Sequence, residues 1–234
     1  MESVHVALAV LSLLSVGHSA PVTSCESLVR PLELNRDQLL GKWSFIAESS
    51  DITAAKLLTD MFVDTVSAQI TANDADGIDV LYMQKMLGRC FSLTVSTTLA
   101  NNTLSMAQPY VSSSIRLSSG CPDCLVFSTK STIGTFTYFS LQLLSKRSKV
   151  TAAELEEFKK QAECLDLLSP AVLDGDKGFC SLDSQEAETT DLTESMKRLS
   201  SQFIETFNSV INSESGLNQF IKLVSSGIPG IKQN

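Results

Sequence analysis

Between residues 42 and 144 the chain is cut into eight short β-type runs, and this repetition restricts the possible folds more than any other feature of the sequence. The runs are 42–48, 62–70, 77–86, 89–98, 103–108, 113–117, 124–129 and 134–144. Their connections carry turn chemistry. Asn73-Asp74-Ala75-Asp76-Gly77 ends in the Asp-Gly pair of tight hairpins, and Asn101-Asn102 tolerates the positive φ that such a turn needs. Eight runs joined in this way predict an antiparallel up-and-down barrel, which leaves no open sheet edge. The acidic trio Asp74, Asp76 and Asp79 lacks the order of a calcium loop, because Met83 stands where the closing Glu would be. It reads as hairpin turn.

Before the barrel, residues 6–16 form an apolar run of signal-peptide length, too short to cross a bilayer as a helix. Residues 1–20 are expected to be a signal peptide, residues 21–182 the barrel domain with its helix, and residues 183–234 an acidic linker followed by an amphipathic tail. Both histidines of the chain, His5 and His18, fall within the expected leader. The mature chain then has at most one residue of the type on which Ser-His-Asp, Cys-His and His-zinc sites depend, so no catalysis, cofactor or metal is expected. A net charge of −8 and a pI near 4.8 disfavour nucleic acid as a partner. Six cysteines behind a leader imply up to three disulfides and a secreted, extracellular protein of plasma-like fluid. Asn101 opens the sequon Asn101-Asn102-Thr103 on a predicted exposed turn and is the expected glycosylation site.

Beyond the strands, Thr151-Ala152-Ala153-Glu154 has the form of a capping box, and Leu155, Phe158, Ala162 and Leu165 follow at helical spacing. This predicts one helix packed outside the barrel. From Leu192 through Met196, Leu199, Phe203, Phe207 and Val210 a second apolar stripe recurs, with three acidic and three basic residues between 192 and 224. That stripe reads either as a helix docked on the domain or as a surface for lipid, a protein partner or a second copy. The oligomeric state is not legible.

Leu40-Gly41-Lys42-Trp43, preceded by Arg36-Asp37-Gln38-Leu39, resembles the Gly-x-Trp motif that opens the first lipocalin strand, and Trp43 is the only Trp of the chain. Arg89-Cys90, the stretch from Leu143 to Ser148, and that from Glu154 to Asp166 further resemble the orosomucoid and apolipoprotein M group. The chain is also similar to the tributyltin-binding and saxitoxin/tetrodotoxin-binding proteins of fish plasma. The resemblance implies an all-β, eight-stranded lipocalin barrel with a packed helix, to which this chain adds its C-terminal helical extension. It further implies the pairs Cys25–Cys164 and Cys90–Cys180, which leaves Cys121 and Cys124 to pair with each other. An Arg covering the buried Trp43 is implied too, for which Arg147 stands in place, with Lys146 as the neighbouring register.

A barrel of this size holds one small guest, and every second residue of a strand points inward. Starting the phase at Trp43, the expected ligand-binding residues are Phe45, Ala47, Phe62, Val66, Tyr82, Phe91, Leu93, Val95, Leu104, Met106, Ile115, Leu117, Phe127, Phe136 and Tyr138. The function so implied is transport of a small apolar or amphiphilic molecule, whether lipid, xenobiotic or toxin. The alternative is an orosomucoid-like plasma protein that modulates immunity through a partner. An enzyme of the lipocalin prostaglandin-synthase kind would need a free inner Cys, and none is left over. Tyr82 and Tyr138, with Asp64 or Asp79, suggest a neutral or cationic guest rather than a phospholipid-type anion.

Overall fold

Strand β1 (Gly41–Ser50) starts a sheet that continues through β2 (Val63–Ala72), β3 (Gly77–Met86), β4 (Arg89–Ala100), β5 (Thr103–Met106), β6 (Val111–Leu117), β7 (Cys124–Ile133) and β8 (Phe136–Ser145). These ranges come from a computed structural model that describes residues 24–73, 77–134, 136–181 and 189–197. The expected leader, with His5 and His18, and the tail beyond residue 197 lie outside the described residues. Each of the eight strands pairs antiparallel with the next, and β8 pairs with β1 to close the barrel. The turns follow from residue chemistry. Asn101 and Asn102 take φ of 50° and 60° between β4 and β5, the positive values of a type I′ hairpin, and Asn101 is exposed.

Two apolar clusters sit on opposite faces of the sheet. Inside, Leu39, Trp43, Ile70, Ile78, Val80, Leu125, Phe127 and Leu144 fill one end of the barrel. Outside, Ile46, Leu117, Val126, Leu141 and Leu143 meet Phe158 and Ala162 of helix α4 (Ala152–Cys164). Strands β7 and β8 are therefore apolar on both faces, which erases the alternation a one-sided strand would show. Thr151 and Glu154 cap α4 reciprocally. Within α4, Gln161 is buried and donates from Nε2 to the carbonyls of Leu28 and Ser118, both at 2.7 Å. It thereby ties α4 to helix α1 (Cys25–Leu28) and to the segment after β6.

The remaining elements close the ends and edges. Helix α2 (Arg36–Leu39) precedes β1 at the filled end, and helix α3 (Thr53–Phe62) links β1 to β2 at the other. Strand β9 (Ala171–Val172) adds to β1, and β10 (Thr189–Asp191) lies parallel to β4, followed by helix α5 (Thr193–Lys197). Disulfides join Cys25 to Cys164, Cys90 to Cys180 and Cys121 to Cys124 across 139, 90 and 3 residues.

At the filled end Trp43 donates from Nε1 to the Leu39 carbonyl at 2.7 Å. Gly41 has φ of +100°, a conformation that L side chains rarely adopt, so the first residue of Gly-x-Trp is required by its backbone. The cation over the Trp43 ring is Lys146, not Arg147. Arg147 turns the other way, to Asp123 and Glu154, and bonds α4 to the segment before β7. Successive strand residues point to opposite faces, so one residue of register decides which of the two neighbours covers the ring.

Candidate functional site

The end of the barrel away from Trp43 is hollow. A cavity of about 340 Å3 lies among Phe45, Val63, Val66, Tyr82, Phe91, Leu93 and Tyr110, with Thr59 of α3 and Leu192 and Met196 of the C-terminal segment at its rim. A smaller chamber of about 130 Å3 continues inward between Val95, Leu104, Met106 and Tyr138 and is lined on its polar side by Ser112, Ser114, Thr129, Ser131 and Ser140. Glu48, Tyr82, Leu93, Tyr110 and Gln142 belong to both walls, so they stand at the junction. The outer chamber is at the lower end of the ~300–1,000 Å3 typical of small-molecule sites.

Glu48 enters the cavity because of a β-bulge. Phe45 pairs with Leu144 but Ala47 pairs with Leu143, so the register of β1 against β8 slips by one residue between them. Beyond the slip the inward phase moves to Glu48, opposite Gln142, and to Ser50, opposite Ser140. Ala47 is correspondingly buried against the outer cluster and reaches the cavity only at its margin. The accessible surface that Glu48 keeps faces the cavity, while protein encloses the carboxyl group otherwise. Burial pushes its pKa upward, and the hydrogen bond it accepts from Gln142 Nε2, which opposes the shift, is long at 3.5 Å.

All three tyrosines of the chain converge on this junction. Burial, reinforced by the negative Glu48, pushes Tyr82 up to about 12 and raises Tyr110 and Tyr138 as well, so the three phenols are neutral donors at pH 7. The Tyr138 hydroxyl is coupled to those of Ser131 and Tyr110. Phe45 and Tyr82 meet in a tilted pair with centroids 5.9 Å apart. Among the described residues lining the two chambers none is Lys, Arg or His, and Glu48 is the one acid. The outer wall is thus largely aromatic and apolar and the inner one rich in hydroxyls, with a single deep carboxyl group at their junction, an arrangement complementary to a cation on an apolar body.

Of the residues expected from alternation, the structure brings Phe45, Ala47, Val66, Tyr82, Phe91, Leu93, Val95, Leu104, Met106 and Tyr138 to the cavity walls. Five lie elsewhere. Ile115 and Leu117 are on the opposite face of β6, against the cluster beneath α4, because β6 points Ser112 and Ser114 inward. Phe127 has the inward phase but is packed into the filled end with Trp43. Phe62 is the buried last residue of α3 rather than part of a strand, and Phe136 stacks on Tyr138 at 6.2 Å without reaching either chamber. Asp64 is held by the Gly88 amide and Lys177, and Asp79 by Asn73 and Ser96, so neither carboxylate faces a guest. Among the wall residues outside the expected set, Glu48, Tyr110 and Gln142 stand at the junction of the two chambers.

No protein-family profile matches the chain, and no curated protein sequence matches it. Solved structures do. The siderocalin Ex-FABP, described as functioning through dual ligand specificities, superposes with a TM-score of 0.53 at 18% identity, over 66% of this chain and 99% of its own. The fold is that of the lipocalins. The described part of the C-terminal segment, residues 189–197, reaches the cavity through Leu192 and Met196.

Proposed function

We propose that this chain is a secreted, non-catalytic lipocalin that carries a small amphiphile bearing a positive charge, with the charged group beside Glu48 and the apolar body in the outer chamber. The observation that carries the reading is the single deep carboxyl group among Tyr82, Tyr110 and Tyr138, with no cationic side chain among the described lining residues. A cation brought to Glu48 restores the favourable surroundings that burial removed, and aromatic faces add attraction of about 0.5–2 kcal/mol each. Secretion is supported by the three disulfides, the apolar run at 6–16 and the exposed sequon at Asn101. Kinship with the orosomucoid and fish toxin-binding proteins belongs to the same proposal and rests on the sequence motifs.

The test is competition against a neutral fluorescent guest such as Nile red. An alkyltrimethylammonium ion is expected to displace it at concentrations at least tenfold lower than the alkyl sulfonate of equal length. Equal or tighter binding of the sulfonate overturns the assignment of charge.

A further inference from the structure

Strand β4 is longer than its neighbour can cover. It runs from Arg89 to Ala100, yet β5 pairs with it only over residues 97–100, so the stretch from Arg89 to Ser96 has one edge that β5 leaves bare. The barrel is consequently open at its side, next to Phe91, Ser92 and Leu93 of the outer chamber. The C-terminal segment fills that gap. Thr189, Thr190 and Asp191 pair in parallel with Cys90, Phe91 and Ser92. The ladder is continued by Leu192 N–H to the Ser92 carbonyl at 2.8 Å, and by Thr94 N–H to Thr193 Oγ1 at 2.9 Å. The turn into α5 is held by Thr193 N–H on Asp191 Oδ1, and it directs Leu192 and Met196 onto the cavity wall.

We propose that residues 189–197 form a displaceable side gate: they seal the bare edge of β4 and supply Leu192 and Met196 as the last part of the ligand wall, so a guest leaves when they lift. The inference rests on the carrier reading above. Attachment and release are both built in. The Cys90–Cys180 disulfide anchors the chain nine residues before Thr189, at the same residue of β4 with which Thr189 pairs, so the gate is always at high local concentration. A three-residue strand and a single turn of helix, by contrast, make few contacts and belong to the part of a structure that opens first. A guest touching Leu192 and Met196 holds the gate shut, and a shut gate holds the guest, since the coupling is reciprocal.

The experiment uses the full chain with Leu192→Asp, which sets a carboxylate against an apolar wall, and separately Thr193→Val, which removes the acceptor from the Thr94 amide. Neither residue belongs to the clusters that hold the barrel together. Nile red release is followed by stopped flow, and exchange of the Thr94 amide by hydrogen exchange in the unsubstituted and Leu192→Asp chains. Release at least tenfold faster in both variants, with Thr94 protected in the unsubstituted chain and exposed in Leu192→Asp, is the expected result. Release within twofold of the unsubstituted chain, or a Thr94 amide that exchanges freely in it, overturns the gate and leaves the carrier intact. Failure of every version to bind Nile red overturns both.

Discussion

Lys146 Nζ stands 3.7 Å from the centroid of the Trp43 ring and donates to the Leu40 carbonyl at 3.0 Å, so one ammonium both covers the buried indole and closes the turn that leads into β1. Removing it by Lys146→Ala is expected to cost about 1–2 kcal/mol of stability, from the cation–π contact and the lost hydrogen bond. Because Trp43 is the only Trp, fluorescence excited selectively at the indole reports on the surroundings of this ring. Denaturant titration with fluorescence detection checks both effects, and Arg147→Ala should leave the emission of the folded protein unchanged.

Glu48→Gln separates binding from folding. Affinity for an alkylammonium guest should fall about 10–100-fold, in line with ~1.5–3 kcal/mol for a hydrogen bond to a charged group. The ligand-free protein should become more stable at neutral pH. The sign follows from the raised pKa of Glu48: its contribution to stability is fully present below the ordinary carboxylate pKa and is lost as pH rises through the folded value, where a buried charge must form. The melting-temperature difference between variant and parent is therefore expected to widen from acid to neutral pH, while cation affinity of the parent rises over the same interval. Calorimetry at several pH values measures both.

Gln161 is the buried polar link from α4 to two chain segments that α4 also holds through the Cys25–Cys164 disulfide and the hydrogen bond from Gly120 N–H to Glu157. Gln161→Ala removes a donor from the carbonyls of Leu28 and Ser118, of which Leu28 keeps Ser118 Oγ, at a cost of about 1–3 kcal/mol. The change should appear as a lowered denaturation midpoint with little effect on ligand affinity, since neither carbonyl faces the cavity.

The three disulfides should differ in weight according to the loops they close. By chain entropy, replacing Cys25 and Cys164 together by Ser costs about 5 kcal/mol, whereas the Cys121/Cys124 pair costs about 1.5 kcal/mol. Denaturation of the paired-serine variants checks the order.

The strands were legible because the turns between them are chemically explicit: Asn101-Asn102 sits at the tip that its positive φ demands. The inward phase was legible where one face is polar, as in β4, where Phe91, Leu93 and Val95 alternate with Ser92, Thr94 and Ser96. It failed in β6 because both chemical cues are reversed there. Ile115 and Leu117 are apolar on account of α4 outside, and the inward Ser112 and Ser114 serve a polar chamber. It failed again in β1, where no residue type marks the bulge between Phe45 and Ala47. A lone carboxylate in an otherwise apolar and small-residue strand was the available sign of Glu48. The strand at Thr189 was hidden by its polarity, because the pairing that forms it lies in the bare backbone of β4.

The bulge in β1 gives this barrel an unusual route to a new guest. Without the slip, Ala47 and Ser49 would take the inward places of Glu48 and Ser50, opposite Gln142 and Ser140, and the deep end would be lined by hydroxyls and aromatic rings without a carboxyl group. Pairing β1 with β8 in unbroken register at its present length would accomplish this while every wall side chain on β3 through β8 stayed as it is. The charge preference of the pocket is thus written in one bulge of one strand, and relatives sharing all the aromatic residues yet lacking it would sort their cargo differently.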